Sequence, residues 1–249
     1  MKSEQSNIDK RQRLIIEILK TKHTITVKEL SDILHINPIT IRRDLSVLEK
    51  EGHIEKYYGG ARLIQGNNQY SYIDHTKIAL AEYAASFIDD FDIIFINSSS
   101  TALLVIPFIK RKAVTIITNN ANVLHMQHDA NVSIFLTGGI LHNPKKSLIG
   151  DLALTNLKKV MATKCFIGCD GISYEHGITT NICEETNINQ MMIAHSKQTF
   201  VITEHQKIGR KKDFITSTIS DIHHLITDHN CPTDLLKSFE KASITLHVI

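Results

Sequence analysis

Seven short apolar runs recur from residue 92 onward: Asp92–Ile96, Ala113–Thr118, Val132–Thr137, Lys164–Gly168, Thr199–Thr203, His224–Thr227 and Ile244–Val248. Each is too short for a stable helix. Helix-like stretches at 76–88, 100–110, 119–127, 184–197 and 232–240 precede or separate them. Short apolar strands alternating with helices predict an α/β fold with a mainly parallel sheet, buried on both faces. That arrangement confines polar chemistry to the ends of the strands. Ligands of such sheets bind beyond the carboxyl ends.

Those ends read Asn97-Ser98-Ser99-Ser100-Thr101, Thr118-Asn119-Asn120, Gly138-Gly139, Gly168-Cys169-Asp170-Gly171 and Glu204-His205-Gln206-Lys207. Small hydroxyl, amide and glycine residues let backbone N–H groups approach an anion. A helix beginning at Ser100 would add its positive end, and Lys207 a full charge. The series fits a phosphate attached to a polyhydroxylated body, although strand-to-helix loops are commonly polar for capping alone.

The first sixty residues have a different character. Up to Arg62 there are 12 lysines and arginines against 9 acidic residues, while the rest holds 16 against 17. Leu14, Ile15, Ile18 and Leu19 share one helical face. Thr26 and Glu29 form a capping box that starts a second helix near 27. Asn37-Pro38 restarts the chain as a third helix, over 38–51, with Gly52 as its C-cap. In that helix Ile41, Leu45 and Leu48 face inward. Ile39, Arg43, Ser46 and Lys50 face outward, with Arg42 and Thr40 on the flanks. Two short helices with this outer face make a helix-turn-helix able to enter a major groove; the plain alternative is an amphipathic surface helix. His53–Tyr58 and Ala61–Ile64, joined by a turn at Gly59-Gly60, would add a β-wing carrying Lys56, Tyr57, Tyr58 and Arg62 toward phosphates.

With 42% apolar and 22% charged residues the chain is globular rather than disordered, and no run approaches the ~20 apolar residues of a membrane span. A net charge of +2 rules out a nonspecific polycation, so a nucleic-acid surface must be local. The polar start Met1-Lys2-Ser3-Glu4 carries no secretory signal, and four cysteines are expected as thiols in a reducing cytoplasm. His223, His224, His229 and Cys231 match no standard zinc spacing, and neither do Cys165 and Cys169. There is no P-loop and no G-x-G-x-x-G. No metal, cofactor or catalytic residue is expected.

The run Thr26-Val27-Lys28-Glu29-Leu30, Ile36-Asn37-Pro38-Ile39-Thr40-Ile41-Arg42-Arg43-Asp44-Leu45, Leu48-Glu49, Gly52 and Tyr58-Gly59-Gly60-Ala61 resembles the DNA-binding domain of the DeoR family of bacterial transcriptional regulators. Downstream, Lys77, Asn97 to Thr101, Thr118-Asn119-Asn120, Gly138-Gly139, Ser147, Gly150, Gly168, Gly171, Glu185, Lys207-Ile208-Gly209-Arg210 and Thr227-Asp228 match its sensor domain. The resemblance implies a winged helix-turn-helix over 1–64, a linker over 65–76, and an effector-sensing, oligomerising α/β domain shaped like phosphosugar isomerases over 77–249. It implies repression of a sugar-catabolic operon, relieved by a phosphorylated sugar, by a homo-oligomer (dimer or tetramer) on double-stranded operator DNA.

Together with the reading of the residues, it places Thr26, Pro38, Ile39, Thr40, Arg42, Arg43, Ser46, Lys50, Lys56, Tyr58, Gly59 and Arg62 at DNA. It places Asn97, Ser98, Ser99, Ser100, Thr101, Thr118, Asn119, Gly138, Gly139, Asp170, Glu185 and Lys207 at the effector. The family's first sensor loop usually reads aspartate, a variable residue, glycine and then threonines. Here Asn97 and Ser99 replace the carboxylate and the glycine, and a positive φ at Ser99 would be strained. Two alternatives compete: an isomerase using Asp170, Glu185, Glu204 and Lys207, or a DNA-binding protein whose α/β domain has lost its ligand and only oligomerises.

Overall fold

The computed structural model describes residues 2–22, 24–50, 54–63, 75–143 and 145–249, without the side chains of residues 2–10, 20, 50 and 63. Gly52, His53, most of the 65–76 linker and the side chain of Lys50 lie outside the described residues. The chain forms two compact units, Met1–Ile73 and Asp74–Ile249.

The first unit runs α1 (Lys2–Lys22), β1 (Thr24–Thr26), α2 (Val27–Leu34), α3 (Pro38–Lys50), β2 (Ile54–Tyr57) and β3 (Gly60–Leu63). The capping box starts α2: the Thr26 hydroxyl accepts from the Glu29 N–H at 3.2 Å, and the Glu29 carboxylate accepts from the Thr26 N–H at 2.8 Å. The helix stops at His35, which takes a left-handed φ of 55°. Asn37 restarts it, its side-chain oxygen accepting from the Ile39 N–H at 2.8 Å. Ile41, Leu45 and Leu48 pack with Ile15, Leu19, Leu30 and Ile54 into one core. Arg11 of α1 clamps α3 with a two-pronged bond to the buried Asp44, at 2.5 and 2.9 Å. The strands form a small antiparallel sheet, β1-β3-β2.

The expected wing turn shifts by one residue. Tyr57 pairs with Gly60, so the loop is Tyr58-Gly59, with Gly59 at φ +88°. Gly60 is a strand residue, and a Cβ there would meet the Ile25 carbonyl at 2.5 Å.

The second unit contains α4 (His75–Ala85), β4 (Ile93–Ile96), α5 (Ser100–Leu103), β5 (Val114–Thr118), β6 (Val132–Leu136), β7 (Ile140–His142), β8 (Ser147–Ile149), α6 (Asp151–Leu157) and β9 (Ala162–Ile167). It continues through β10 (Gly171–Ser173), β11 (Gly177–Thr180), α7 (Cys183–Ala194), β12 (Ser196–Ile202), β13 (Phe214–Ser217), β14 (His224–Thr227), α8 (Thr233–Phe239) and β15 (Thr245–Val248). The seven expected runs become one parallel sheet in the order β15-β14-β12-β9-β4-β5-β6. Phe95, Phe166 and Phe200 fill its interior.

Two expectations fail locally, and some elements appear that the sequence did not reveal. The helix over 100–110 is a single turn, α5, followed by a 3₁₀ turn at Ile106–Phe108. Pro107 explains this, because its ring has no N–H for the Leu103 carbonyl and clashes with it. Residues 121–125 form a 3₁₀ turn rather than the helix expected over 119–127. The hairpin β7–β8, helix α6 and the antiparallel sheet β10-β11-β13 were not expected at all. Among the described residues no helix is long and apolar enough to cross a membrane.

At the amino ends of the strands the buried Lys164 ammonium bridges Asp92 at 2.5 Å and Asp89 at 2.6 Å. Burial alone would raise the Asp92 pKa, but bonds from Lys164, the Asp89 N–H and the Thr163 hydroxyl hold it below the usual range. Lys164→Ala leaves Asp92 buried without its cation. Urea unfolding of this variant is expected to show a loss of roughly 3–5 kcal/mol; a loss under 1 kcal/mol would contradict this account of the bridge.

Candidate functional sites

The first site is the outer face of α3. Ile39 is 72% exposed, Arg42 and Arg43 are exposed, and Thr40 and Ser46 are half-buried. Neither arginine has a side-chain partner among the described residues. Pro38 stands exposed at the first helical position, as its missing N–H allows. Thr26 is spent on the cap of α2.

Ser46 and Lys56, both placed at DNA by sequence, meet each other. The Lys56 ammonium donates to the Ser46 hydroxyl at 3.1 Å and pairs with Glu49 at 2.9 Å. The Lys56 N–H adds a bond to Glu49 at 3.1 Å, so the wing is tied to α3. Arg62 pairs with Glu55 across the hairpin at 2.8 Å. The register sets Glu55 opposite Arg62 and Lys56 opposite Ala61, so Lys56 and Arg62 point to opposite faces of the wing. Tyr58 stands fully exposed at its tip beside Gly59. Sequence reasoning missed Glu49 and Glu55 as partners, although a carboxylate one strand across from a cation is a readable signal.

The second site follows from sheet order. The chain enters at β4, proceeds to β5 and β6, then crosses back to β9 on the other side. Strand order therefore reverses between β4 and β9, the switch point beyond whose strand ends ligands of open α/β sheets bind.

Asn97 spans that switch point. Its amide nitrogen donates to the Gly168 carbonyl at 2.9 Å and to Asn189 at 3.2 Å; its oxygen accepts from Gly168 N–H at 3.1 Å and Ser99 N–H at 3.2 Å. This amide is committed to the protein, and the backbone partners dictate which end carries the nitrogen. Ser99 has φ −65° and caps α5, so no strain attends the missing glycine. The tight position is Gly168 instead, where a Cβ would fall 1.9 Å from the Ser99 hydroxyl.

Ser98 donates to Glu185 at 2.9 Å, and the Asn120 amide donates to the Ser98 carbonyl at 3.1 Å. Lys145, from the turn between β7 and β8, bridges Glu185 at 3.1 Å and Asp170 at 3.2 Å. Burial disfavours the Lys145 charge, yet these two carboxylates raise its pKa. Burial likewise opposes the Asp170 charge, but the Asn181 N–H, Lys145 and the Thr180 hydroxyl lower its pKa on balance. Ser98, Asp170 and Glu185 thus converge as the sequence suggested, around a lysine it did not reveal.

The remaining positions divide. Thr118 accepts from the Asn120 N–H and shapes the turn after β5, while Asn119 donates to the Leu148 carbonyl and holds the β5 end against the β7–β8 hairpin. Gly138 and Gly139 carry φ of 70° and 111° and turn the chain into that hairpin. Ser100 is exposed at the start of α5, whose single turn supplies little dipole. The Thr101 hydroxyl, the Asn119 carbonyl oxygen and the Ser147 hydroxyl are buried without a hydrogen-bond partner among the described residues. Lys207 pairs with Glu204 at 3.3 Å, and Lys77 reaches the same carboxylate at 3.2 Å. Burial pushes the Cys169 thiol up to about 11, which makes it a packing group rather than a nucleophile. Among the described residues no three metal-ligating side chains cluster; His224 stacks on Phe200 at 4.2 Å instead.

A helix-turn-helix with an open cationic face, joined in one chain to a parallel α/β unit with a polar crevice, defines a DNA-binding regulator with a sensor domain. Residues 11–67 match the DeoR-like helix-turn-helix domain and residues 74–229 the DeoR C-terminal sensor domain; the chain belongs to the DeoR family of transcriptional regulators. It is 30% identical to the HTH-type transcriptional regulator GolR of Listeria innocua, over 96% of this chain and 97% of GolR. It is 29% identical to the uncharacterized regulator YulB of Bacillus subtilis, over 97% of each chain. It is also 29% identical to the lactose phosphotransferase system repressor of Lactococcus lactis, over 96% of this chain and 99% of that one. Ribose 5-phosphate isomerase A from Methanocaldococcus jannaschii overlaps 53% of this chain and 52% of its own, with a TM-score of 0.37 and 13% identity.

Replacing Asn97 by aspartate sets a carboxylate oxygen against the Gly168 carbonyl. Asn97→Asp is expected to lose roughly 1–3 kcal/mol in denaturant unfolding at pH 7, and to regain part of it at pH 4, where the carboxyl can donate. Unchanged stability at both pH values would show that the amide is not the staple described.

Proposed function

We propose that this protein represses a sugar-catabolic operon as a homo-oligomer and releases its operator when a phosphorylated sugar occupies the crevice between β4 and β9. The observation that carries the reading is the pairing of functions in one chain: Arg42 and Arg43 on α3, without partners among the described residues, and polar strand-end loops gathered at the switch point of the α/β sheet. The relative named as a lactose phosphotransferase system repressor supports the sugar assignment.

In this reading Ile39, Thr40, Arg42 and Arg43 meet base edges from the amino-terminal half of α3, while the wing tip at Tyr58-Gly59 meets the backbone. Lys56 serves first to orient the wing. One recognition helix covers a few base pairs, so a specific site requires two copies on half-sites. In the crevice, Lys207 and Lys77 are the cations suited to a phosphate. Ser98, Asp170, Glu185 and Lys145 suit hydroxyls. The ordinary φ of Ser99 removes the strain that favoured a ligand-free sensor.

Binding to the DNA upstream of its own gene, at two salt concentrations and with a panel of sugar phosphates, tests the whole reading. Specific, salt-dependent binding released by one sugar phosphate is expected; no specific binding to that DNA would refute it. Arg43→Ala is expected to lose about 1–3 kcal/mol of specific binding if it grips a guanine edge. Equal affinity of mutant and wild type would reassign the recognition face. Lys207→Ala is expected to bind operator normally and resist release by the sugar phosphate. Release at wild-type concentrations would remove Lys207 from the effector site.

A further inference from the structure

Scattered exposed apolar residues are ordinary, but Ile39 is not in an ordinary place. It is the second residue of α3 and shares a sector of about 100° with Arg42, Arg43 and Ser46, at helical spacings of three, four and seven. Its backbone is fixed at the helix start by the Asn37 side chain at 2.8 Å, and the next turn closes from Ile41 N–H to the Asn37 carbonyl at 3.1 Å. A β-branched side chain in a helix has essentially one χ1 rotamer. Ile39 is thus a rigid apolar wedge, 72% exposed, at the amino-terminal end of α3, and flanked by two arginines without partners among the described residues.

Resting on the DNA-binding reading, we infer that Ile39 reads the 5-methyl group of a thymine in the major groove. The floor of that groove carries hydrogen-bonding edges for every base but only one apolar group, the thymine methyl. The cations beside Ile39 make the occupant an anionic duplex rather than an apolar protein surface. The geometry also sets where the thymine lies. Four residues of helix advance about 6 Å, close to two base steps of about 3.4 Å. An arginine at the next turn, Arg42 or Arg43, therefore addresses a guanine one or two base pairs from that thymine. The half-site should contain a T within two positions of a G.

Replacing thymine by deoxyuridine removes the methyl group and nothing else. The full-length protein is used to select its tightest duplex from a randomised pool, and each thymine of that duplex is exchanged in turn. Wild-type protein is expected to lose about fourfold in affinity at one position per half-site, the worth of one methyl group kept from water. Ile39→Ala, an exposed substitution that leaves the core untouched, is expected to bind the thymine duplex several-fold more weakly and to be indifferent to uracil at that position. Arg43→Ala should keep the uracil penalty. If every exchange leaves the wild type within twofold, or if Ile39→Ala retains the full penalty, Ile39 does not read a methyl group. Failure to select any specific duplex would instead overturn the DNA-binding reading.

Discussion

A sheet made only of parallel strands has no face to offer to water. The central stretches of β4, β9 and β12 pack against helices above and below, which is why Ile94–Ile96, Cys165–Ile167 and Phe200–Ile202 read as continuous apolar runs, while the amino ends of β9 and β12 carry polar residues. Polar chemistry is left with the strand ends, and the sheet order decides which ends matter. Because the chain starts in the middle of the sheet and later crosses back, β4 and β9 are neighbours in space whose loops part company. The Asn97 amide joins the two loops with a pair of bonds to Gly168, and holds Asn189 and the Ser99 N–H with the other two. The surrounding groups take their positions from it: Ser98 turns to Glu185, Ser99 caps α5, and Asn120 reaches back to the Ser98 carbonyl. An amide can do this because it donates and accepts at once, while a carboxylate only accepts.

How far the sequence could be read follows from the same physics. The seven main-sheet strands were legible because burial on both faces demands continuous apolar runs, and all seven formed. The β7–β8 hairpin was not, because Ile140–His142 and Ser147–Ile149 are three residues each and flank a polar turn that looks like any other loop. Lys145 was hidden with it: its partners lie 25 and 40 residues downstream, and nothing local distinguishes it from Lys146. The recognition helix was legible from Asn37-Pro38 and the apolar stripe, since both are local signals. The pairing of Lys56 with Ser46 and Glu49 was not, because it depends on how the wing folds back onto α3. The wing turn was misplaced by one residue because both Gly59 and Gly60 suit a turn, and only the register with Tyr57 separates them.

Charge is managed differently in the two units. On the outer face of α3 two arginines are unpartnered among the described residues, so a phosphate or guanine edge meets them without breaking an internal ion pair. The associated gain is largely counterion release, and it falls with salt. In the sensor, Lys145 sits between Glu185 and Asp170, while Lys77 and Lys207 share Glu204. Burial opposes the Glu204 charge, but Lys207 and Lys77 lower its pKa. Asp170 and Glu204 therefore stabilise the fold above the ordinary carboxylate range, and that contribution is lost as pH falls through their lower folded values. Lys145, with its raised pKa, contributes below the ordinary lysine range and loses its contribution as pH rises through its folded value.

Paired charges also constrain the proposed effector. A ligand entering this crevice must exchange an existing ion pair for a new contact, so its affinity is a difference between two interactions rather than the full strength of one. A neutral sugar brings hydroxyls that can satisfy Asp170 or Glu185 but nothing to replace Glu204 at Lys207 and Lys77. A phosphate group carries between one and two negative charges near neutral pH, with three acceptor oxygens. It can hold both lysines while Glu204 swings away. In the proposed reading these ion pairs act as a filter: they disfavour weakly charged ligands and leave the site to anions strong enough to take the carboxylate's place.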